Sequence, residues 1–316
     1  MQEILPAEPC HFSVVTCVYR SYPYLKRFVE LSLQALHEIG CTSFELVFVI
    51  DGSPDSSLEL LIEEKKQVPQ IVVIEFSRNF GHHYAAHAGL EYARGEWVFL
   101  IDCDLEVSPL VLVDFYRRAR QESCDVVYGY QAERKGGWVE RWSGGVFWRL
   151  FNALSETRVP ANILTERLLS RRYVDSLLKL GDRNLFLAGM MYWVGFKQIG
   201  QPVEKIQRDG RSTYTLRRRV ALLIEAVTSF SAVPLRLLFS TGLVITFASL
   251  LFSLYLIMNK LLHPEMVLIG FTSVSVLILL TSGVIMASIG VVGIYLSKIY
   301  SQMQNRPLFI VKNVYL

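Results

Sequence analysis

Cysteine is scarce in this chain. The five present, Cys10, Cys17, Cys41, Cys103 and Cys124, form no CxxC pair and no ligand-like spacing, which excludes a disulfide framework or a structural zinc site and points to a reducing compartment. Net charge is equally scarce: +3 over 316 residues leaves no electrostatic footprint for nucleic acid. Residues Met1 to Pro9 hold no basic region followed by an apolar run, so no cleaved secretory signal is expected. What the sequence has in excess is apolar character. Hydrophobic residues make up 52% and the mean hydropathy is +0.32, with the excess after Pro234. That asymmetry predicts a soluble front and a membrane-embedded back.

In the front part, apolar and β-branched runs at Phe12–Val18, Phe44–Ile50, Ile71–Phe76, Trp97–Ile101 and Asp125–Tyr130 read as strands. Helical spacing fills the intervals at Tyr24–Ile39, Asp55–Lys66, around His83–Ala93 and at Pro109–Gln121. Alternation of this kind predicts an α/β domain with a mostly parallel sheet, whose ligands bind beyond the carboxyl ends of the strands. The residues there are polar: Asp51-Gly52-Ser53, Ser77-Arg78-Asn79-Phe80-Gly81 and Asp102-Cys103-Asp104. Residues 132–219 have weaker periodicity, with Trp138, Trp142, Phe147, Trp148 and Phe151 interleaved with arginines. They suit either an interfacial amphipathic segment or an ordinary helix packed on the sheet.

Two blocks, Leu237–Asn259 and Met266–Ser297, carry no charged residue, and each exceeds the roughly 20 residues that cross a bilayer. Two spanning helices are expected. Arg217, Arg218, Arg219 and Arg236 precede the first, Lys298, Arg306 and Lys312 follow the second, and Lys260 is the basic residue between them. Both ends of the hairpin should then face the cytoplasm, making a multi-pass protein of the cytoplasmic membrane. Gly283, Gly290 and Gly293 allow close helix contact, and a homo-oligomer, dimer or tetramer, is expected.

Asp102 and Asp104 sit two apart at the end of an apolar strand, so both carboxylates project from one edge. The arrangement suits Mg²⁺ or Mn²⁺ bridging a diphosphate, since such an ion takes one or two carboxylates plus phosphate oxygens. The competing reading is a pair of helix-capping aspartates before Pro109. His83 and His87 share a helix face, and His82 adjoins them. With no third ligand evident, solvated or core-lining histidines fit better than a metal site.

Four segments in this order, Ser13-Val-Val-Thr-Cys-Val-Tyr19, Val49-Ile-Asp-Gly-Ser-Pro-Asp55, Ser77-Arg-Asn-Phe-Gly81 and Asp102-Cys-Asp-Leu-Glu106, resemble the motifs of inverting family 2 glycosyltransferases of the GT-A (Rossmann-like) fold. With the two terminal spans, the chain is similar to the polyisoprenyl-phosphate glycosyltransferases. The resemblance implies that Asp51, Arg78, Asn79, Gly81 and Asp102 contact a nucleotide-sugar of UDP or GDP type. It implies further that Asp104, with Asp102, holds the metal. Gly52 and Gly81 permit the tight turns and close backbone approach that a base and a diphosphate require.

Two departures stand out. Asn162-Ile-Leu-Thr-Glu-Arg-Leu168 has Thr165 where the family has an aspartate, leaving Glu166 as the candidate substitute. In Arg211-Ser-Thr-Tyr-Thr-Leu-Arg217, Thr213 replaces a lysine. Arg211, Arg217, Arg218 and Arg236 are candidates to hold an acceptor phosphate at the membrane surface. A phosphate acceptor, with its second pKa near ~6, is already anionic at neutral pH and needs no base. The chain is thus expected to comprise a catalytic domain over 1–210, juxtamembrane amphipathic helices over 211–234, and a two-helix hairpin with a cytoplasmic tail over 235–316. Its expected acceptor is a polyisoprenyl phosphate, undecaprenyl phosphate first. The alternatives are extension of a lipid-linked saccharide, with Glu166 or Asp102 as base, and an inactive membrane scaffold.

Overall fold

The structure is a computed structural model that describes residues 11–131, 160, 162–183, 185–205, 231, 233–262 and 271–316. The described residues up to Lys205, together with Arg306–Leu316, form one compact unit; those between Thr215 and Asn305 form a second.

The first unit is built on strands β1 (Phe12–Val18), β2 (Phe44–Ile50), β3 (Ile71–Phe76), β4 (Trp97–Leu100), β5 (Val126–Tyr130), β6 (Ile163–Ser170), β7 (Gln198–Pro202) and β8 (Val311–Tyr315). Its helices are α1 (Tyr22–Glu38), α2 (Ser57–Gln67), α3 (His82–Tyr92), α4 (Val111–Glu122), α5 (Arg171–Leu178) and α6 (Leu187–Trp193). The sheet order is β7-β5-β6-β4-β1-β2-β3-β8. β1 pairs in parallel with β2 and β4, and β2 with β3. All six residues of β3 and the last six of β2 are buried, as strands covered on both faces must be. Leu25, Phe28, Val29, Ser32, Ala35 and Leu36 make the inward stripe of α1. Phe28 meets Phe48 edge-on at 5.9 Å, and burying each such ring contributes about 2–3 kcal/mol.

The expected fifth strand forms at its place in the sequence but does not lie beside β4. β6 intervenes, antiparallel to both β4 and β5. At the N-terminal end of the sheet, Glu45 is 2% exposed. It accepts hydrogen bonds from Ser13 Oγ (2.6 Å), the Arg94 N–H (2.6 Å), Arg94 Nε (2.9 Å) and Arg94 Nη2 (2.6 Å).

The second unit contains α7 (Val233–Leu262) and α8 (Phe271–Met303), of 30 and 33 residues, about 45 and 50 Å long. Within α8, Val284–Met303 is long and apolar enough to cross a membrane. Within α7 the apolar stretch among residues with described side chains is shorter, Val233–Ile245. One candidate span therefore stands where two were expected. Phe239, Phe247, Met286 and Ile289 are among the large apolar side chains these helices expose.

Candidate active site

The turn after β2 carries Asp51, a side chain buried in the unit. Its Oδ1 accepts the Phe80 N–H at 2.6 Å and its Oδ2 the Gly81 N–H at 2.9 Å, while Asn79 Nδ2 donates to the Asp51 carbonyl at 3.0 Å. Asp51 thus closes loop 77–81 onto the end of β2. Gly52 allows the closure: a Cβ there would meet Asn79 N at 2.4 Å and the Arg78 carbonyl carbon at 2.6 Å. The close approach expected of Gly52 is therefore made by this loop. Gly81, at φ +109°, turns the chain into α3 through a conformation that a side chain resists. Arg78 is exposed, donates to the Asn79 carbonyl at 2.9 Å and covers the Phe80 ring at 4.0 Å.

Alternation persists just past β4. Cys103 is buried and donates to the Cys17 carbonyl, and burial pushes its thiol up to about 11, whereas Asp102 and Asp104 are half-exposed. Asp104 Oδ1 accepts the Glu106 N–H at 3.1 Å, a turn bridged by Leu105 at φ +60°. A branched residue in that region is strained by about 1–2 kcal/mol. The helix-capping alternative fails: the cap of α4 is Leu110, with no side-chain cap bond.

β6 completes the group. Pairing Leu100 with Arg167 and Phe99 with Leu168 brings Glu166 beside the end of β4. Glu166 is 4% exposed, and its Oε2 has no hydrogen-bond partner. Burial, then the negative charge of Asp102, pushes its carboxyl up to about 7, against its own backbone N–H and Lys205. Lys205 forms an ion pair with Glu106. Burial alone would lower the Lys205 pKa, but Glu106, Glu166 and Asp104 outweigh it and raise it. At the start of α3, His82 Nε2 lies 3.6 Å from Asp102 Oδ1. His87 is buried, and burial lowers its pKa, which makes it a neutral core histidine.

Asp102, Asp104, Glu106 and Glu166 gather at this end of the sheet, with Lys205, the buried Arg167 and His82 beside them. Among the described residues no three His, Cys, Asp or Glu side chains form a metal cage. One or two carboxylates that leave room for phosphate oxygens suit Mg²⁺ or Mn²⁺, and the donorless buried oxygen of Glu166 beside Asp102 is an acceptor that a cation would satisfy. A surface hollow lined by Arg20, Tyr22, Pro23, Pro54, Asp55 and Ser56 includes none of these acids.

The structure thus brings Asp102, Asp104 and Glu166 together and gathers Asp51, Arg78, Asn79 and Gly81 into one loop closure. Arg211, Arg217 and Arg218 lie outside the described residues. Arg236 is exposed in the first turns of α7, in the second unit. His82 was singled out in the sequence without a place in the site. Lys205, three residues past β7, carries no sequence signal that would have found it.

The profile of Glycosyl transferase family 2 matches residues 13–178. A Mycobacterium tuberculosis (strain CDC 1551 / Oshkosh) protein, named only as a glycosyltransferase, is 39% identical over 303 residues, 96% of this chain and 88% of its own. A protein of Bacillus subtilis (strain 168), also named only as a glycosyltransferase, is 31% identical over 300 residues, 94% and 90% of the two chains. The SfII prophage-derived bactoprenol glucosyl transferase of Shigella flexneri is 32% identical over 283 residues, 89% and 91%. Motifs, acid cluster and relatives agree: the chain belongs to glycosyl transferase family 2 and is a glycosyltransferase.

Proposed function

We propose that the protein transfers a sugar from a nucleotide-sugar to a polyisoprenyl phosphate at the cytoplasmic face of a membrane. The carrying observation is the convergence of Asp102, Asp104 and Glu166 at the carboxyl end of a family 2 sheet. Likeness over 89% of the chain to a relative named for bactoprenol glucosylation supports the lipid acceptor. In this reading the acceptor phosphate oxygen attacks the anomeric carbon, the new C–O bond forms as the bond to the nucleoside diphosphate breaks, and the leaving diphosphate takes the electron pair. Asp51 and loop 77–81 hold the nucleotide, and Asp102 with Asp104 lie at its diphosphate. A divalent cation held by these two aspartates would offset the charge that builds on the departing group.

The membrane topology is supported by connectivity. The described residues up to Lys205 and Arg306–Leu316 belong to one compact unit, and a chain that leaves a unit and rejoins it crosses a bilayer an even number of times. A crossing by Val284–Met303 then requires a second, for which α7 has the length. Arg217, Arg218, Arg219 and Arg236, which precede the first apolar block, support a cytoplasmic side for the unit, and Arg211, Arg217, Arg218 and Arg236 are the candidates for the acceptor phosphate.

A second reading, extension of a lipid-linked saccharide, is favoured by one observation: Glu166, near about 7, suits the deprotonation of a hydroxyl acceptor. The test is detergent-purified protein with undecaprenyl phosphate, Mg²⁺ or Mn²⁺ and radiolabelled nucleotide-sugars, glucose donors first, following label into the organic phase. Label that appears with one donor and vanishes in Asp104→Ala is the expected result. Absence of label with undecaprenyl phosphate, but its appearance with a lipid-linked saccharide, would replace the first reading by the second.

A further inference from the structure

The sheet does not end at β3. β8 lies antiparallel along it, pairing Val73 with Tyr315, Ile74 with Val314, Glu75 with Asn313 and Phe76 with Val311. The Ser77 N–H donates to the Ile310 carbonyl at 3.0 Å, so the contact runs past the strand into loop 77–81. Glu75, a buried carboxylate, accepts from Lys312 Nζ (2.5 Å), Asn313 Nδ2 (2.8 Å) and Tyr315 OH (3.2 Å). These bonds hold the strand. The residues just before it reach further. Phe309 lies flat on Phe76, with ring centroids 5.0 Å apart and planes 15° from parallel, and Phe76 meets Phe80 edge-on at 5.5 Å. Phe80 is also the residue whose N–H ends on Asp51. At the far end of the loop, Tyr84 OH donates to the Arg183 carbonyl at 3.1 Å, and Arg183 Nη1 donates to the Arg306 carbonyl. Residues 306–310 are therefore tied directly to the start of the turn that carries Arg78, Asn79 and Gly81 and, through Arg183, to the first turn of α3 that follows it.

We propose that residues 306–316 are a positioning element of the donor site, with Phe309 setting the loop that Asp51 closes by way of Phe76 and Phe80. This rests on the reading of loop 77–81 as the nucleotide-sugar side. The backbone of a five-residue turn has many alternatives in solution, and ordering it at the moment of binding weakens the ligand. A turn whose one aromatic ring is already packed loses that freedom beforehand. In this reading Phe309 acts through Phe76 and Phe80, so its removal should act on donor affinity and leave the chemical step alone. The segment begins three residues after the end of α8.

The test uses the full-length protein in detergent, the labelled lipid assay above and the donor that serves it. Phe309→Ala is expected to raise the donor KM roughly tenfold, a loss in the range of one aromatic pair with its packing. kcat and the acceptor KM should stay within about twofold, and Phe309→Tyr should restore the donor KM. Lys312→Ala, which loosens the strand away from the loop, should lower the melting temperature with little change in donor KM. An unchanged donor KM in Phe309→Ala, or an equal rise in Lys312→Ala, would overturn the proposal. Asp51→Ala separates the two levels: if it raises the donor KM while Phe309→Ala does not, the loop reading stands and the positioning role falls. If both raise the acceptor KM instead, the loop does not serve the donor and the reading itself falls.

Discussion

Two buried carboxylates near opposite ends of this sheet are held in opposite ways. At the N-terminal end, Glu45 is 2% exposed and takes four donated hydrogen bonds from Ser13 and Arg94. At the C-terminal end Glu166, 4% exposed, keeps an oxygen without a donor and has Asp102 and Asp104 for neighbours. An unsatisfied buried oxygen costs on the order of 1–3 kcal/mol, and Glu45 shows that this sequence can avoid such a cost. Glu45 maintains the fold; Glu166 departs from the rules of stability where a reaction needs it.

The contrast can be broken from either side. Asp104→Ala is expected to lower kcat/KM for lipid labelling by roughly 10³-fold, with little change in the thermal melt. Glu45→Ala should do the reverse. Its cost is roughly 2–4 kcal/mol, below that of a fully buried pair because Arg94 is 35% exposed. kcat/KM per folded molecule should be unchanged, as chemical denaturation beside the labelling assay would show.

Glu166→Gln sharpens the comparison through pH. The folded-state pKa stands at about 7 against an ordinary 4.5. Between those values the folded protein keeps a proton that the unfolded chain has released, so the wild type loses stability as pH rises through that window. Without divalent cations, Glu166→Gln should be more stable than wild type by roughly 2–3 kcal/mol at pH 8, a difference that shrinks as pH falls and vanishes below the ordinary carboxyl pKa of 4.5. Melting curves across pH check it, and a gap independent of pH would show that the carboxyl is not shifted. The smallest effect belongs to Leu105→Gly, which relieves the φ of +60° beside Asp104. It should stabilise by about 1 kcal/mol, a rise of roughly 2–4 °C in the melt.

How far the sequence could be read follows the same division. β1 to β4 are legible because each is a nearly unbroken apolar run, buried on both faces. β6, with Thr165, Glu166 and Arg167 in its middle, has no such run, because the residues that serve the site replace those that would announce a strand. Without β6 the antiparallel neighbour of β4 cannot be read, and nothing in the spacing brings Glu166 to Asp102. Family resemblance, not periodicity, singled Glu166 out. β8 was hidden for a different reason: Val311–Tyr315 is five residues long, follows a long apolar helix, and finds its partner more than 230 residues earlier. His82 was missed as a member of the site because it stands at the first position of α3, outside its periodic stripe, and Lys205 because a loop delivers it.

The place of β8 in the chain also orders the protein's birth. Residues 311–315 are synthesised after both long helices, yet they cover the edge of β3. Until they arrive that edge exposes unpaired backbone N–H and C=O groups, the kind of surface on which nascent chains pair wrongly. The sheet is therefore completed only once the helices that precede β8 have been made, and a chain interrupted within them would carry an open strand edge as the mark of an unfinished molecule.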